Sequence, residues 1–235
     1  RFLDARGLPL SKSVERDIER VFFREDFRRV YLDEIGTIDY APGVIERYSA
    51  DFLAALDVPA IRAARLPIVV DYANAPASLV LPSLLSDLGC QVVALNATVD
   101  ENKMSISEEE FDRSLHQLAL ISQAVQARLA VRLDVGGEKL FVVDDQGYIV
   151  PPITLLAATA SLALQAEGGG TIAVPVNMPT IFEEIAAHYG GTVERTRVDL
   201  QAVMAAASKG KVIMAGDGSG NLIFPRLHPG ADGLF

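Results

Sequence analysis

Between Pro67 and Asn96 the chain reads PIVVDYANAPASLVLPSLLSDLGCQVVALN. The run up to Asp71 is apolar and ends in turn residues, the pattern of a strand buried on both faces of a parallel sheet. The stretch from Ala77 to Leu88 reads as a helix stopped by Gly89 at its C′ position. A second apolar run, 91–95, follows at once. Strand, helix and strand with short joins make the crossover unit of an α/β sheet.

The rhythm extends both ways. Upstream, Ser13 to Phe27 reads as a charged helix with Ser13 as its cap, "DEIGTIDYAPG" (33–43) as a linker, and "GVIERYSADFLAAL" (43–56) as a helix with apolar residues at helical spacing. Downstream, Ser107 followed by three glutamates opens a long helix, where acidic side chains suit the positive end of the helix dipole. "ARLAVRLDV" (127–135) and "EKLFVVDDQGYIV" (138–150) are further strands, the second folded at Asp145–Gly147. After Pro151-Pro152 the cycle repeats: a helix at 153–165, a flexible "GGG", a strand at 171–177, a helix at 178–191, a strand at 192–198, a helix capped by Asp199, and strands at 211–218 and 221–225. The expected class is α/β, with two consecutive three-layer α/β/α domains at 36–150 and 151–235. Residues 1–35 are expected to be the tail of a preceding domain and a linker, and the chain a piece of something longer.

Half of the 235 residues are hydrophobic, enough for one large domain or two of ordinary size. A net charge of -10 repels phosphate backbones and argues against nucleic-acid binding. No membrane partner is expected: the longest apolar stretch, "ITLLAATASLALQA", is shorter than the ~20 residues of a spanning helix and reads as a buried core helix. Cys90 is the single cysteine, which excludes an internal disulfide and points to a reducing, cytoplasmic setting, with Cys90 as a small buried apolar residue. His116, His188 and His228 have no metal-ligand spacing and read as surface or helix-face residues. Arg195 and Arg197 flank Thr196 on one predicted strand, either to meet a phosphate or as a solvated face.

Open α/β sheets bind ligands at the carboxyl ends of their strands. Three stretches stand at such ends: "DYANAP" (71–76), "DVGGEK" (134–139) and "GDGSGN" (216–221). Their order and spacing, over nearly all of the chain, resemble the middle of the α-D-phosphohexomutases, the phosphomannomutase and phosphoglucomutase family. "EIGTID" with "ERYSADFLAAL" is similar to the start of that family's second domain. "VVDYANA" resembles its V-x-D-x-x-N-G, with Ala75 for the glycine. "TVERTRV" is similar to part of its third domain. "DVGGEK" aligns with a DGDGDR-type metal loop and "GDGSGN" with a G-E-x-S-G-H sugar loop.

The resemblance implies phosphoryl transfer between two sugar hydroxyls. In the family a first-domain phosphoserine donates, three loop aspartates hold Mg²⁺, and a fourth domain grips the substrate phosphate. Mg²⁺ wants hard oxygens in near-octahedral geometry and neutralises charge on the moving group. Laid on this sequence, Asp134 keeps the first aspartate, Gly136 loses the second, Glu138 replaces the third, and Lys139 replaces an arginine and loses its planar fork. Asp134 and Glu138 then form either a weak Mg²⁺ site or the polar residues of a solvated hairpin, with Gly136 and Gly137 supplying the turn. In the sugar loop Asp217 replaces a glutamate and Asn221 a histidine. Asp217, Ser219 and Asn221 either meet a hydroxyl-rich ligand, with Lys139 as a phosphate candidate, or form a glycine-rich turn. No catalytic residue is assigned within the chain, which alone is expected to be inactive.

Three functions are compatible. One is a degenerate mutase-like module, the C-terminal region of a mannose-1-phosphate guanylyltransferase-type fusion. The second is an active Mg²⁺-dependent phosphohexomutase with an unusual loop. The third is a non-catalytic assembly domain. The expected partners are a sugar phosphate, the parent's other domains and a second copy of the chain.

Overall fold

The computed structural model describes residues 2–5 and 7–235 and arranges them around two mixed sheets; Arg1 and Arg6 lie outside it. Three helices precede the first sheet: α1 (Lys12–Phe23), α2 (Val44–Ala54) and α3 (Val58–Ala64). Helix α1 differs from the expectation at both ends. Ser11, not Ser13, is its cap and accepts from the Val14 N–H, while Ser13 hydrogen-bonds to Ser11. The helix stops at Phe23, and Glu25 takes a positive φ of 50°.

In the first sheet β1 (Pro67–Asp71) is central. It pairs in parallel with β2 (Gln91–Leu95) and β3 (Leu129–Leu133). Antiparallel strands β4 (Leu140–Val143) and β5 (Ile149–Val150) complete the order β2-β1-β3-β4-β5. The predicted helix 77–88 is split into a 3-10 turn at Pro76–Leu79 and helix α4 (Leu81–Asp87). Pro82 accounts for the break: it has no N–H to continue the turn but is well tolerated at a helix start. A short helix, α5 (Glu101–Met104), leads to α6 (Glu108–Ala124). There Ser107 and Glu110 form a reciprocal capping box.

The second unit begins with α7 (Pro152–Glu167) and repeats the first unit's plan. Its sheet has β6 (Thr171–Pro175) flanked in parallel by β7 (Thr192–Thr196) and β8 (Val212–Gly216), then antiparallel β9 (Leu222–Ile223), in the order β7-β6-β8-β9. Helices α8 (Ile181–His188) and α9 (Leu200–Ala207) complete it. The "GGG" is a defined helix stop rather than a loose break. All three glycines have positive φ, and the Gly169 N–H closes on the Leu164 carbonyl at 2.9 Å.

Both sheets are covered on both faces. Val69 packs with Leu118, Ala130 and Val143 under α6, while Val70 packs with Phe52, Leu84 and Leu133 on the opposite face. In the second sheet Ile172, Val174 and Met214 meet α7 and α8, and Ala173 and Ala215 meet α9. A register shift in β8 leaves Ile213 opposite no partner. Val212, two residues before Met214, is thereby turned to the α9 face.

The chain ends cross over. Leu8, from the segment expected to belong to a preceding domain, is buried with Ala173 and Val203 of the second unit, and Gln201 donates to the Leu10 carbonyl at 2.7 Å. Conversely Leu227, Leu234 and Phe235 pack on the first unit's core. Among the described residues no helix is long and apolar enough to cross a membrane.

Candidate functional site

Strand β3 delivers Asp134 at its carboxyl end. Asp134 Oδ1 accepts the backbone N–H groups of Glu138 (2.7 Å) and Lys139 (2.9 Å). The Asp134 backbone closes the same turn, donating to the Lys139 carbonyl and accepting from the Gly137 N–H, both at 3.1 Å. Asp134 is therefore half-buried and shapes the loop, rather than standing as a solvated hairpin residue. Gly137, at φ 67°, supplies the left-handed step. Gly136 has no such need. A Cβ placed there would meet Asp134 Oδ2 at 3.5 Å and Glu138 Cγ at 3.6 Å, ordinary contacts. A side chain at 136 would thus stand between the two carboxylates.

Mg²⁺ at this loop would be held by the Asp134 and Glu138 carboxylates. Asp134 has one oxygen committed to the turn, Gly136 offers none, and among the described residues no group of three or more His, Cys, Asp or Glu side chains is arranged to hold a metal ion.

The 216–221 loop follows β8. One Asp217 oxygen accepts the Ser219 N–H at 2.9 Å and the other accepts Asn221 Nδ2 at 2.7 Å; the Ser219 hydroxyl lies 2.9 Å from both. Asn221 also donates to Ser219 Oγ at 3.1 Å. Asn221 is only 2% exposed, and its Oδ1 has no hydrogen-bond partner. Asp217, Ser219 and Asn221 therefore form one network turned on itself. Gly216 is held by its neighbours, since a Cβ there would fall 2.4 Å from Leu156 Cδ1.

The two loops meet. Lys139 and Asn221 form an antiparallel β-bridge, and the Leu140 N–H donates to the Gly220 carbonyl at 3.0 Å. All six sequence-predicted residues, Asp134, Glu138, Lys139, Asp217, Ser219 and Asn221, thus belong to two loops joined edge to edge. "DYANAP" differs from the family pattern without strain at Ala75, which has φ -106°. The left-handed residues are Ala73 and Asn74.

Three features escaped the sequence reading. Asp71 and Arg132, cross-strand partners at the carboxyl ends of β1 and β3, form a buried ion pair. Asp71 also accepts Ala73 N–H and Asn96 Nδ2, both at 2.9 Å, and the Arg132 guanidinium lies 5.6 Å from the Phe111 ring centroid. The signal was present: one arginine inside an apolar strand requires a buried partner. Secondly, Arg195, read from the sequence as a phosphate contact or part of a solvated face, is half-buried and held by protein partners. It grips Glu183 with two nitrogens (2.8 and 2.6 Å) and donates to the carbonyls of Pro175, Met178 and Pro179.

Thirdly, His228 and Tyr48 converge on Asp232. Tyr48 donates at 2.8 Å and His228 Nε2 lies at 3.0 Å, while His228 Nδ1 accepts the Gly230 N–H. That acceptor role places the imidazole proton on Nε2. Burial, then the Asp232 charge and hydrogen bond, pushes the Tyr48 hydroxyl far above its ordinary range. Burial also pulls Asp232 upward, but the bonds from His228, the Leu234 N–H and Tyr48 outweigh it and hold the carboxyl below its usual value.

Known proteins agree with this architecture. Residues 46–147 match the phosphoglucomutase/phosphomannomutase α/β/α domain II pattern and residues 152–235 that of domain III. The phosphoglucomutase/phosphomannomutase of Thermococcus kodakarensis is 31% identical over 233 residues, 99% of this chain and 51% of that protein. The phosphoglucosamine mutase of Methanocaldococcus jannaschii is 25% identical over 238 residues, 100% of this chain and 52% of that protein. The chain spans about half the length of the curated relatives it matches. In fold it is similar to a Burkholderia thailandensis phosphoglucomutase/phosphomannomutase family protein, with a TM-score of 0.76 at 22% identity over 97% of this chain and 48% of that one. The two matched domains follow each other in the family's order and take in every strand but β5, so the chain belongs to the phosphoglucomutase/phosphomannomutase family.

Proposed function

We infer that the chain is the central part of a sugar-phosphate mutase-like protein whose metal loop no longer supports Mg²⁺-dependent phosphoryl transfer, and which retains a sugar-phosphate-binding role. One observation carries this reading: Asp134 holds the turn with one carboxylate oxygen, and Gly136 leaves the space beside it without a ligand. Lys139, adjoining the 216–221 loop through the bridge to Asn221, would attract the phosphate, and Asp217 would order the loop facing the sugar. A cytoplasmic setting belongs to the proposal and rests on the lone Cys90. The guanylyltransferase-type fusion gains no support from the relatives named above, which are mutases by name.

The test is a coupled mutase assay on the full-length parent with mannose 1-phosphate or glucose 1-phosphate, Mg²⁺ and a bisphosphate primer. A Gly136→Asp, Glu138→Asp, Lys139→Arg variant is run beside it. The expected result is no product from the parent, with sugar phosphate binding measurable by calorimetry. Turnover by the unaltered parent above about 1 s⁻¹, near the low end of ordinary enzymes, would refute the reading. Absence of binding at millimolar sugar phosphate would leave an assembly domain instead.

A further inference from the structure

Residues 225–235 follow the second sheet but finish against the first unit. Phe235 stacks edge-on to Phe52 of α2 and packs on Phe224, with ring centroids 5.4 Å apart in both cases. Leu227 and Leu234 join the same core. Asp232 is knotted to Tyr48 of α2 and to His228, and its other oxygen accepts the Leu234 N–H at 2.9 Å. Between these anchors the segment runs directly over the Asp134–Lys139 loop. The Gly233 N–H donates to the Gly137 carbonyl at 2.9 Å. A Cβ at Gly233 would fall 3.1 Å from the Lys139 carbonyl carbon and 3.2 Å from that of Glu138. A Cβ at Gly137 would in turn stand 3.1 Å from Leu234.

We propose that residues 225–235 form a strap, fastened to α2 at Tyr48 and Phe52, that holds the Asp134–Lys139 loop in its turn and couples that loop to the seating of one unit on the other. The loop's own bonds all run through Asp134: its carboxylate accepts two amides, and its backbone bonds to Gly137 and Lys139. From across the unit boundary the bridge to Asn221 steadies its Lys139 end, and the backbone contact with Gly233 is the support given to the turn at Gly137. Coupling of this kind is reciprocal, so a change in the loop loosens the strap as a change in the strap loosens the loop. The proposal does not depend on whether the loop binds a metal.

Amide hydrogen exchange on the full chain tests it in both directions. In Tyr48→Phe and Asp232→Asn the amides of Glu138 and Lys139 are expected to exchange about tenfold faster, the scale of one charge-assisted hydrogen bond, while those of β6 keep their rates. In Gly137→Ala the Leu234 amide is expected to accelerate likewise. Faster exchange at Gly233 and Leu234 with unchanged rates at Glu138 and Lys139 would overturn the proposal, because the strap would then be free to leave without the loop. Equal acceleration everywhere in Tyr48→Phe, β6 included, would overturn it too, since the contact would then serve global stability alone. Should Asp232→Asn fail to fold, Tyr48→Phe, which removes one hydroxyl, decides the matter.

Discussion

Asp71 and Arg132 are the most demanding residues in the first unit. Taking both charges out of water is costly, and the arrangement holds because Asp71 has two further donors and Arg132 an aromatic face. Arg132→Ala leaves the carboxylate buried with amide partners only. It is expected to cost about 3–5 kcal/mol in urea denaturation. Asp71→Asn combined with Arg132→Met removes both charges and is expected to cost clearly less than the single change; equal losses would mean that packing, not charge pairing, is at stake. At this scale the sequence was informative about residue type and poor about partners. "LAVRLDV" announces a buried arginine, but only the register of β1 against β3 names Asp71. Likewise "HPGAD" gives no hint of Tyr48, which lies 184 positions away.

At the scale of elements, apolar runs and punctuation were legible because both arise from local physics. Gly89 stops α4 and Asp199 caps α9, accepting the Ala202 N–H at 2.7 Å. Asp199→Ala is expected to lower stability by about 1 kcal/mol, with a correspondingly lower thermal midpoint and unchanged loop exchange. What misled was chemistry that competes with periodicity. Pro82 splits an apparently continuous helix, and Ser11 takes the cap expected at Ser13. The extra residue at Ile213 could not be read at all, since a bulge leaves an apolar run looking like any other. The metal and sugar loops were found through the resemblance. Their self-bonded state came only with the geometry, because Asp217 binding Ser219 and Asn221 is indistinguishable in sequence from three residues awaiting a ligand.

At the scale of the whole molecule, the knot at Asp232 joins the two units, and their union is expected to depend on pH. Asp232 has its folded pKa below the ordinary 3.8, so its contribution is present above that value and fades as pH falls through the lowered one. Tyr48 is raised above 10.0, so its contribution is complete below pH 10 and declines as pH rises further. Urea midpoints measured across pH are expected to fall at both extremes. Asp232→Asn should flatten the acid limb and Tyr48→Phe the alkaline limb; an unchanged profile in both would show that other groups set it.

The crossing of the chain ends also bears on how the protein is made. A ribosome completes residues 67–150, the whole first sheet, well before it reaches Leu234 and Phe235, which close that sheet's core. At ordinary synthesis rates the interval is on the order of ten seconds. For that time the newborn first unit carries an open apolar face around Phe52, and the last residues described here are the ones that cover it.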